Sequence, residues 1–270
     1  MLTEWQKQYM NHRPKIIDLF CGCGGFGLGA ELAGFDTLAA VDIDQTLQSA
    51  YKFNFPNTHV INGDLSLLDK DAWKLITHNQ EIDGVIGGPP CQGFSRMGSG
   101  NVNDPRRSLL AHFFRNINIL QPKFFVMENV EGLLDQKNIQ GLHEAIDSVD
   151  SRYTVLEPIV IDASLYGAPT KRLRVIVVGY DPKFIEPLSN RDFQVSNAQI
   201  TTVKDAIVDI PSPLQMSSSK NDLGWKSYRE IKNLSNYAKL MRAVPIQNIG
   251  NTEAKEMLLE GLTSGHFQTS

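Results

Sequence analysis

The cysteine at position 91 is the first residue of the chain that suggests covalent chemistry. Residues 86–95 read IGGPPCQGFS and follow an apolar run that begins at Ile82. Each proline fixes its own φ angle and biases the preceding residue away from helix, so the turn that carries the thiol has few alternative conformations. A thiol on a stiff turn suits a nucleophile, although an isolated intracellular cysteine is more often buried and inert.

Three charged residues further along could act with such a thiol. Glu128 follows the apolar run 122–127 and is either a satisfied acid at a strand end or a catalytic carboxylate. Arg172 and Arg174 lie two apart in a β-rich run, so their side chains are expected on one face of a strand. Two such guanidinium groups can hold a carboxylate, a phosphate or a base carbonyl; the alternative is a charged edge strand that resists aggregation.

A glycine-rich segment near the start suggests a nucleotide-like cofactor. Residues 21–29 read CGCGGFGLG and lie between a predicted strand, 15–20, and a helical pattern that begins at Leu28. Gly22, Gly24 and Gly27 satisfy a Gly-X-Gly-X-X-Gly spacing, and an acid, Asp42, follows Gly22 by 20 residues at the end of a second strand. Such an acid can accept hydrogen bonds from ribose hydroxyls, but these features suit a nicotinamide cofactor and S-adenosylmethionine equally.

A further acid ends the third predicted strand. Asp64 comes shortly after the strand 59–61, where it could accept a hydrogen bond from an adenine amino group or cap the following turn.

Strands and helices alternate along the first two thirds of the chain, which predicts an α/β fold with a parallel sheet. Strands are predicted at 15–20, 36–41, 59–61, 81–86 and 122–127, and helices at 44–54, 67–77, 104–120 and 131–149. The runs 153–160 and 173–178 are separated by too few residues for a crossover helix and should pair antiparallel. The glycine-containing stretch 94–103 is expected to form a lid over a bound substrate.

Composition narrows the class of protein. The chain has 270 residues, three cysteines and a net charge of −4. No apolar run approaches the ~20 residues of a membrane helix, and no cysteine or histidine cluster has metal-ligand spacing, so we expect a cytosolic protein without a metal. A negative net charge is not typical of a nucleic-acid-binding protein. Residues 91–115, however, include four arginines and one acid and could face phosphates.

These motifs, in this order, resemble the cytosine-5 DNA methyltransferases of bacterial restriction-modification systems. The resemblance spans about residues 15–180 and includes the cofactor loop, the Pro-Pro-Cys loop, Glu128-Asn129-Val130 and the arginine strand. It implies a doubly wound, mostly parallel, Rossmann-like sheet with one antiparallel hairpin strand, followed by a smaller domain that reads DNA. We expect residues 1–185 to form the cofactor-binding catalytic domain and 186–270 to form a linker and an incomplete recognition region.

The resemblance also implies roles for residues. The cofactor would be S-adenosylmethionine and the partner duplex DNA, from which the target cytosine is flipped. Cys91 would attack C6 of the base, Glu128 would offset the charge that develops on the ring, Arg174 would hold the base carbonyl and orient Glu128, and Arg172 would support the same site or bind a phosphate. The remaining expected residues line the cofactor pocket: Phe20, Gly22, Gly25, Asp42, Ile43, Asp64, Pro90 and Leu109.

The family's late Arg-Glu and Gly-Asn motifs have no match, which suggests a fragment, one polypeptide of a split enzyme completed by a second chain, or a decayed gene product. Three alternatives remain open. A transfer-RNA cytosine methyltransferase would share this chemistry. A nicotinamide oxidoreductase would leave Pro-Pro-Cys and the arginines without a role. A non-catalytic subunit would bind a partner chain and transfer nothing.

Overall fold

The computed structural model describes residues 13–90, 108–194, 200–210 and 233–243. The chain divides into two compact units, one of Met1–Ile161 with Leu173–Gln194 and the other of Asp162–Arg172 with Val195–Ser270. Cys91 and the predicted lid lie outside the described residues. The expected division into domains after residue 185 stays a prediction.

The first unit is built on one mixed sheet. Its strands, in chain order, are β1 (Lys15–Leu19), β2 (Asp36–Asp42), β3 (His59–Asn62), β4 (Gly84–Gly87), β5 (Phe124–Val130), β6 (Thr154–Val155), β7 (Ile159–Asp162) and β8 (Leu173–Tyr180). Their order is β3-β2-β1-β4-β5-β8-β6, with β7 also paired to β8. Strands β1 to β5 are mutually parallel, whereas β8 runs antiparallel to both β5 and β6. The predicted mostly parallel sheet with an antiparallel hairpin is confirmed.

Helices connect the parallel strands. They are α1 (Gly25–Leu32), α2 (Gln45–Asn54), α3 (Lys70–Thr77), α4 (Ser108–Leu120) and α5 (Ile139–Asp147), with α6 (Val203–Ile207) and α7 (Asn236–Ala243) in the second unit. Two begin at aspartate caps: Asp44 accepts from two amides of α2 and Asp69 from two amides of α3. The cap at Asp69 explains why α3 starts three residues later than the predicted helix 67–77.

Apolar side chains cover both faces of the sheet. One face carries Ile17 and Leu19 of β1 in a cluster with Trp73 of α3 and Phe113 of α4. The other face packs Ala40 of β2 against aromatic rings of α2 in a smaller cluster. Burial on both faces is the arrangement of a doubly wound α/β fold, and it accounts for the continuous apolar runs of the central strands.

The predicted helix 131–149 is wrong in its first part. The chain forms a 3₁₀ helix at Glu131–Leu134, turns, and starts α5 only at Ile139. The buried Asn138 donates from Nδ2 to the carbonyl of Gly132 (2.7 Å), and its backbone N–H donates to the carbonyl of Asp135 (2.7 Å). These bonds satisfy backbone groups that a continuous helix would have paired differently.

Three predicted strands also have different bounds. The strand predicted at 81–86 begins only at Gly84, as β4. Strand β5 extends through Val130, because β8 pairs with it as far as Val130 opposite Arg174; Glu128 therefore lies within the strand and not after it. The run 153–160 divides into β6 and β7, separated by residues 156–158, where Pro158 lacks a backbone donor.

In the second unit, three side chains organise the two helices: Thr202, Asp205 and Ser235. Thr202 and Asp205 form a reciprocal capping box at the start of α6. The hydroxyl of Ser235 donates to the carbonyl of Asp205 (2.6 Å) and connects α6 to the start of α7. Within the described parts of the chain, no helix is long and apolar enough to cross a membrane.

Candidate active site

Three parallel strands, β1, β2 and β4, end within one residue of a common level at the carboxyl edge of the sheet, and β5 continues three residues beyond them. Leu19, the last residue of β1, pairs with Val41 of β2 on one side and with Gly87 of β4 on the other. Gly87 in turn pairs with Met127, which directly precedes Glu128. The segments that leave β1, β2 and β4 therefore emerge at the same edge of the sheet as Glu128, the edge where open α/β sheets bind ligands.

The glycine segment after β1 forms a tight loop with unusual backbone angles. Phe20, Gly22 and Gly24 all have positive φ values, of 53°, 52° and 95°. The non-glycine Phe20 is strained in this region, and such strain is concentrated at ligand-binding loops. A Cβ on Gly22 would meet nothing within 4 Å, so its backbone is open to close approach by a ligand.

Asp42 is held in place by the same loop. Its Oδ2 accepts from the N–H of Gly22 (2.8 Å), and its Oδ1 accepts from the N–H of Asp44 (2.9 Å). The carbonyl of Asp42 accepts from the buried Gln48 side chain and from the N–H of Gly63 (3.0 Å). The carboxylate is thus oriented before any ligand arrives, and Gln48, which the sequence did not single out, contributes to this.

The next two expected pocket residues lie at the ends of β2 and β3. Ile43 is 70% exposed, and its carbonyl accepts from the Asn62 side chain (3.1 Å). Asp64 is exposed and accepts from the N–H of Ser66 (2.8 Å). Hydrogen bonds from the Ser66 side chain and backbone lower the pKa of the Asp64 carboxyl below its usual value. The turn-capping alternative for Asp64 is therefore observed, on a carboxylate that solvent can reach.

The remaining expected pocket residues lie on three different elements. Gly25 is the exposed first residue of α1, and a Cβ there would meet nothing within 4 Å. Pro90 is exposed three residues beyond the end of β4, and Leu109 is half-buried in the first turn of α4.

Glu128 and Arg174 form an ion pair. The Nε of Arg174 lies 2.5 Å from Oε1 of Glu128, and the side chains of Arg174 and Glu128 are 16% and 35% exposed. Glu128 is opposite Ile176 in the β5–β8 ladder, and Arg174 is two residues away on the same face, so the pair is a diagonal cross-strand contact. Arg174 also donates from Nη1 to the carbonyl of Leu173 (2.7 Å).

Asn129 connects this pair to the segment that precedes Cys91. Its side chain is 2% exposed and donates from Nδ2 to the carbonyl of Pro89 (3.1 Å). A Cβ built on Gly88 would lie 3.2 Å from Oε2 of Glu128, which explains why a glycine suits that position. The residues just before Cys91 are therefore held against the strand that carries Glu128. An amide next to an acid gave only a weak signal in the sequence.

Arg172 is placed differently from the expectation. It precedes β8, it is exposed, and it belongs to the second compact unit. Its carbonyl accepts from the N–H of Ala163 (3.0 Å) within that unit, so the backbone has left the β5 ladder before this residue. Arg172 therefore lies just outside the strand that carries Arg174, and its role stays a prediction.

Asp18 is a buried acid that the sequence analysis missed. It lies near the end of β1, is 1% exposed, and has one carboxylate oxygen, Oδ1, without a hydrogen-bond partner. Its Oδ2 accepts from the hydroxyl of Tyr51 (3.3 Å), and the backbone of Gly27 also hydrogen-bonds to it. Burial raises the pKa of Asp18 to about 8, and these hydrogen bonds only partly oppose the shift. An acid inside the apolar stretch KIIDLF was the available signal.

The residues around the loop fit a positively charged nucleotide cofactor such as S-adenosylmethionine. The buried Asp18 has an unpaired oxygen, Asp42 is pre-oriented, and the backbone at Gly22 is open. A ligand with a sulfonium and an ammonium group would complement these acids, and an adenosine could take the carboxylate of Asp42. Among the described residues, no group of three or more His, Cys, Asp or Glu could hold a metal ion.

Comparison with known proteins gives consistent results. The family model for C-5 cytosine-specific DNA methylase matches residues 14–261. The chain is 38% identical over 204 residues to Type II methyltransferase M.DdeI of Desulfomicrobium norvegicum, covering 73% of this chain and 48% of that protein. It is 41% identical over 208 residues to M.XorII of Xanthomonas oryzae pv. oryzae, covering 74% and 47%.

A solved structure is similar over most of the chain. A candidate DNA modification methyltransferase encoded within an Escherichia coli prophage superposes with a TM-score of 0.74 at 37% identity, covering 91% of this chain and 68% of that one. The chain spans about half the length of the two curated relatives.

Proposed function

Since the chain belongs to the C-5 cytosine-specific DNA methylase family, we propose that it transfers a methyl group from S-adenosylmethionine to C5 of a cytosine flipped out of duplex DNA. The observation that carries the proposal is the hydrogen bond from Asn129 to Pro89. It places the segment that leads to Cys91 beside the ion pair of Glu128 and Arg174. A nucleophile and a carboxylate at one strand edge are the arrangement that this reaction needs.

In the proposed reaction, the Cys91 thiolate forms a bond to C6 of the cytosine, which makes C5 nucleophilic. Glu128 shares a proton with N3 of the base and so offsets the negative charge that develops on the ring. Arg174 holds Glu128 at 2.5 Å, and in the proposed reaction this contact would keep the carboxylate turned toward the base. S-adenosylmethionine would supply the methyl group: C5 would displace it from the sulfonium sulfur, with S-adenosylhomocysteine as the leaving group. The C5 proton then leaves to a base, the C6–sulfur bond breaks, and Cys91 departs as thiolate.

Residues of the cofactor loop would orient the donor. Asp42 would accept from the ribose hydroxyls, because the Gly22 and Asp44 amides already direct both of its oxygens. Asp64 would accept from the adenine amino group, and Phe20, Gly25, Ile43, Pro90 and Leu109 would complete the pocket. Arg172 would contact a DNA phosphate from its exposed position.

Methyl transfer can be tested with radiolabelled S-adenosylmethionine, mixed-sequence duplex DNA and, in parallel, transfer RNA. We expect label on DNA with the wild-type chain, none with Cys91→Ser, and at least about 100-fold slower transfer with Glu128→Gln, as for loss of a group that acts on a proton in the transition state. Glu144→Gln makes the same change at an exposed position of α5 and should leave the rate unchanged. Undiminished transfer by Cys91→Ser would contradict the mechanism, and label on transfer RNA alone would contradict the substrate.

We also propose that a second polypeptide supplies residues that recognise the target DNA, because the sequence has no match to the family's late Arg-Glu and Gly-Asn motifs. Equilibrium dialysis of S-adenosylmethionine separates the two proposals. Bound cofactor without transfer supports the need for a second chain. Full transfer by this chain alone contradicts it.

A further inference from the structure

The buried side chains beneath the cofactor loop form a cluster of acids. Asp18, Cys21 and Tyr51 are all buried, and the carboxyl groups outside this cluster that raise their pKa values are Asp42 and Glu31. Their elements surround Asp18: Tyr51 comes from α2, Gly27 from α1, Cys21 from the loop and Asp42 from β2. A site with only acidic groups favours a positively charged ligand.

Helix α1 and the Tyr51 hydroxyl hold one oxygen of the Asp18 carboxyl group in place. The Gly27 backbone and the Tyr51 hydroxyl hold Oδ2, whereas Oδ1 has no partner. Helix α1 has no side-chain cap at Gly24, so Asp18 takes one of the amides that the first turn leaves free. A Cβ on Gly27 would lie 3.0 Å from Oδ2, which shows how closely helix and strand approach. Asp18 thus lies against the first turn of α1, directly after the glycine loop proposed to bind the cofactor.

We propose that Asp18 distinguishes the methyl donor from its demethylated product: it is a neutral acid without the donor and becomes a carboxylate when the sulfonium is bound above it. The proposal rests on the proposed use of S-adenosylmethionine. The product, S-adenosylhomocysteine, is a neutral thioether at the same position, so it has no charge to offer the carboxylate. Asp18 acts through its field on the cofactor and is a positioning residue.

Donor binding should therefore change the protonation state of Asp18. In the free protein the Asp42 carboxylate already contributes to the raised pKa of Asp18, which is about 8, so a charge at the cofactor position is within electrostatic reach. A cation there has the opposite effect and lowers the pKa. Binding of S-adenosylmethionine at neutral pH therefore releases a proton from Asp18 to solvent. Donor affinity rises with pH below about 8 and levels off above that value.

The test is calorimetric binding of S-adenosylmethionine and S-adenosylhomocysteine to the wild-type chain at pH 6 and 9, in pairs of buffers with different ionisation enthalpies. We expect the ratio of donor affinity to product affinity to rise about tenfold from pH 6 to pH 9. Donor affinity changes by this factor when the acid dissociation constant of Asp18 is tenfold larger in the donor complex than in the free protein. We also expect donor binding, near pH 7, to release protons that product binding does not release. Asp18→Asn should abolish both differences, and the ligand's own amino group cancels in the comparison with wild type.

Donor binding in the wild-type chain without the extra proton release would overturn this inference alone, since the cofactor would still bind. The same proton release in Asp18→Asn would also overturn it. If neither ligand binds the wild-type chain, the cofactor assignment fails and this inference fails with it. The proton count in the wild-type chain needs no variant, so the inference can be refuted even if Asp18→Asn does not fold.

Discussion

Replacing Asn129 with alanine tests whether one buried hydrogen bond positions the segment before Cys91. Asn129 is 2% exposed, and its Nδ2 donates to the buried carbonyl of Pro89 at 3.1 Å. Truncation leaves that carbonyl without a partner and out of reach of water, which costs about 1–3 kcal/mol. The second bond, from the Val130 N–H to Oδ1 of Asn129, involves a half-buried amide that water can satisfy.

The penalty should appear locally, because the bond connects the end of β4 to β5. We expect amides in the peptides that cover residues 84–90 and 124–130 to exchange about 30-fold faster, which corresponds to about 2 kcal/mol. Hydrogen-exchange mass spectrometry of the full chain measures this directly. Methyl transfer should fall in parallel, while S-adenosylmethionine affinity should change little, because the hydrogen bonds of Asn129 go to Pro89 and Val130 and not to the glycine loop.

Asn118→Ala is a matched control. Asn118 also makes two hydrogen bonds through its amide, to the carbonyl of Ser148 (2.8 Å) and from the N–H of Asp150 (2.8 Å), but it is half-buried and within reach of water. Water can replace both bonds, so we expect less than about 1 kcal/mol. Unchanged exchange around Pro89 in Asn129→Ala, or equal effects of the two variants, would refute the positioning role.

Four further outcomes follow from the structure. Arg174→Lys should slow methyl transfer about tenfold with little change in cofactor affinity, because lysine keeps the charge but cannot reproduce the planar contact to Glu128. Single-turnover rates measure this, and an unchanged rate would leave the ion pair without a role in the reaction. Gly27→Ala should lower the free energy of unfolding by about 1–3 kcal/mol, since its Cβ would lie 2.3 Å from the Tyr51 hydroxyl. Gly29→Ala, on the open side of α1, should stabilise the protein slightly, and equal melting temperatures of the two variants would contradict this packing. Asn116→Ala should cost about 2 kcal/mol in urea unfolding, because it leaves the Trp73 indole N–H buried without its partner and removes the shorter of two side-chain bonds to the Leu65 carbonyl. A loss below about 1 kcal/mol would count against these bonds. Asp18 has a pKa of about 8 in the folded state against a usual 3.8, so the stability that its protonation contributes is full below about pH 4 and is lost as pH rises toward 8. Asp18→Asn should therefore have a higher melting temperature than wild type at pH 9 and lose that advantage at pH 5. A difference in melting temperature that is independent of pH would refute the assignment.

Much of the fold could be predicted because its signals are local. Apolar runs, glycine turns and aspartate caps such as Asp44 specify each strand and helix within a few residues, and alternation of the two predicts parallel strands. Since the carboxyl ends of parallel strands lie at a common edge, the sequence also predicts Asp42 and Glu128 at the same edge of the sheet. It failed at 131–149, where the apolar spacing suits a helix but the Asn138 side chain competes for the backbone.

The sequence by itself therefore determined the family, the doubly wound sheet and the edge at which the chemistry is expected. Only the tertiary structure decided which side chains meet there: the pairing of Glu128 with Arg174 follows from the β5–β8 register, and Arg172 is excluded from that strand. The bond from Asn129 to Pro89 and the contact of Tyr51 with Asp18 join residues 40 and 33 positions apart. Such contacts depend on strand register and helix packing, which local spacing does not encode.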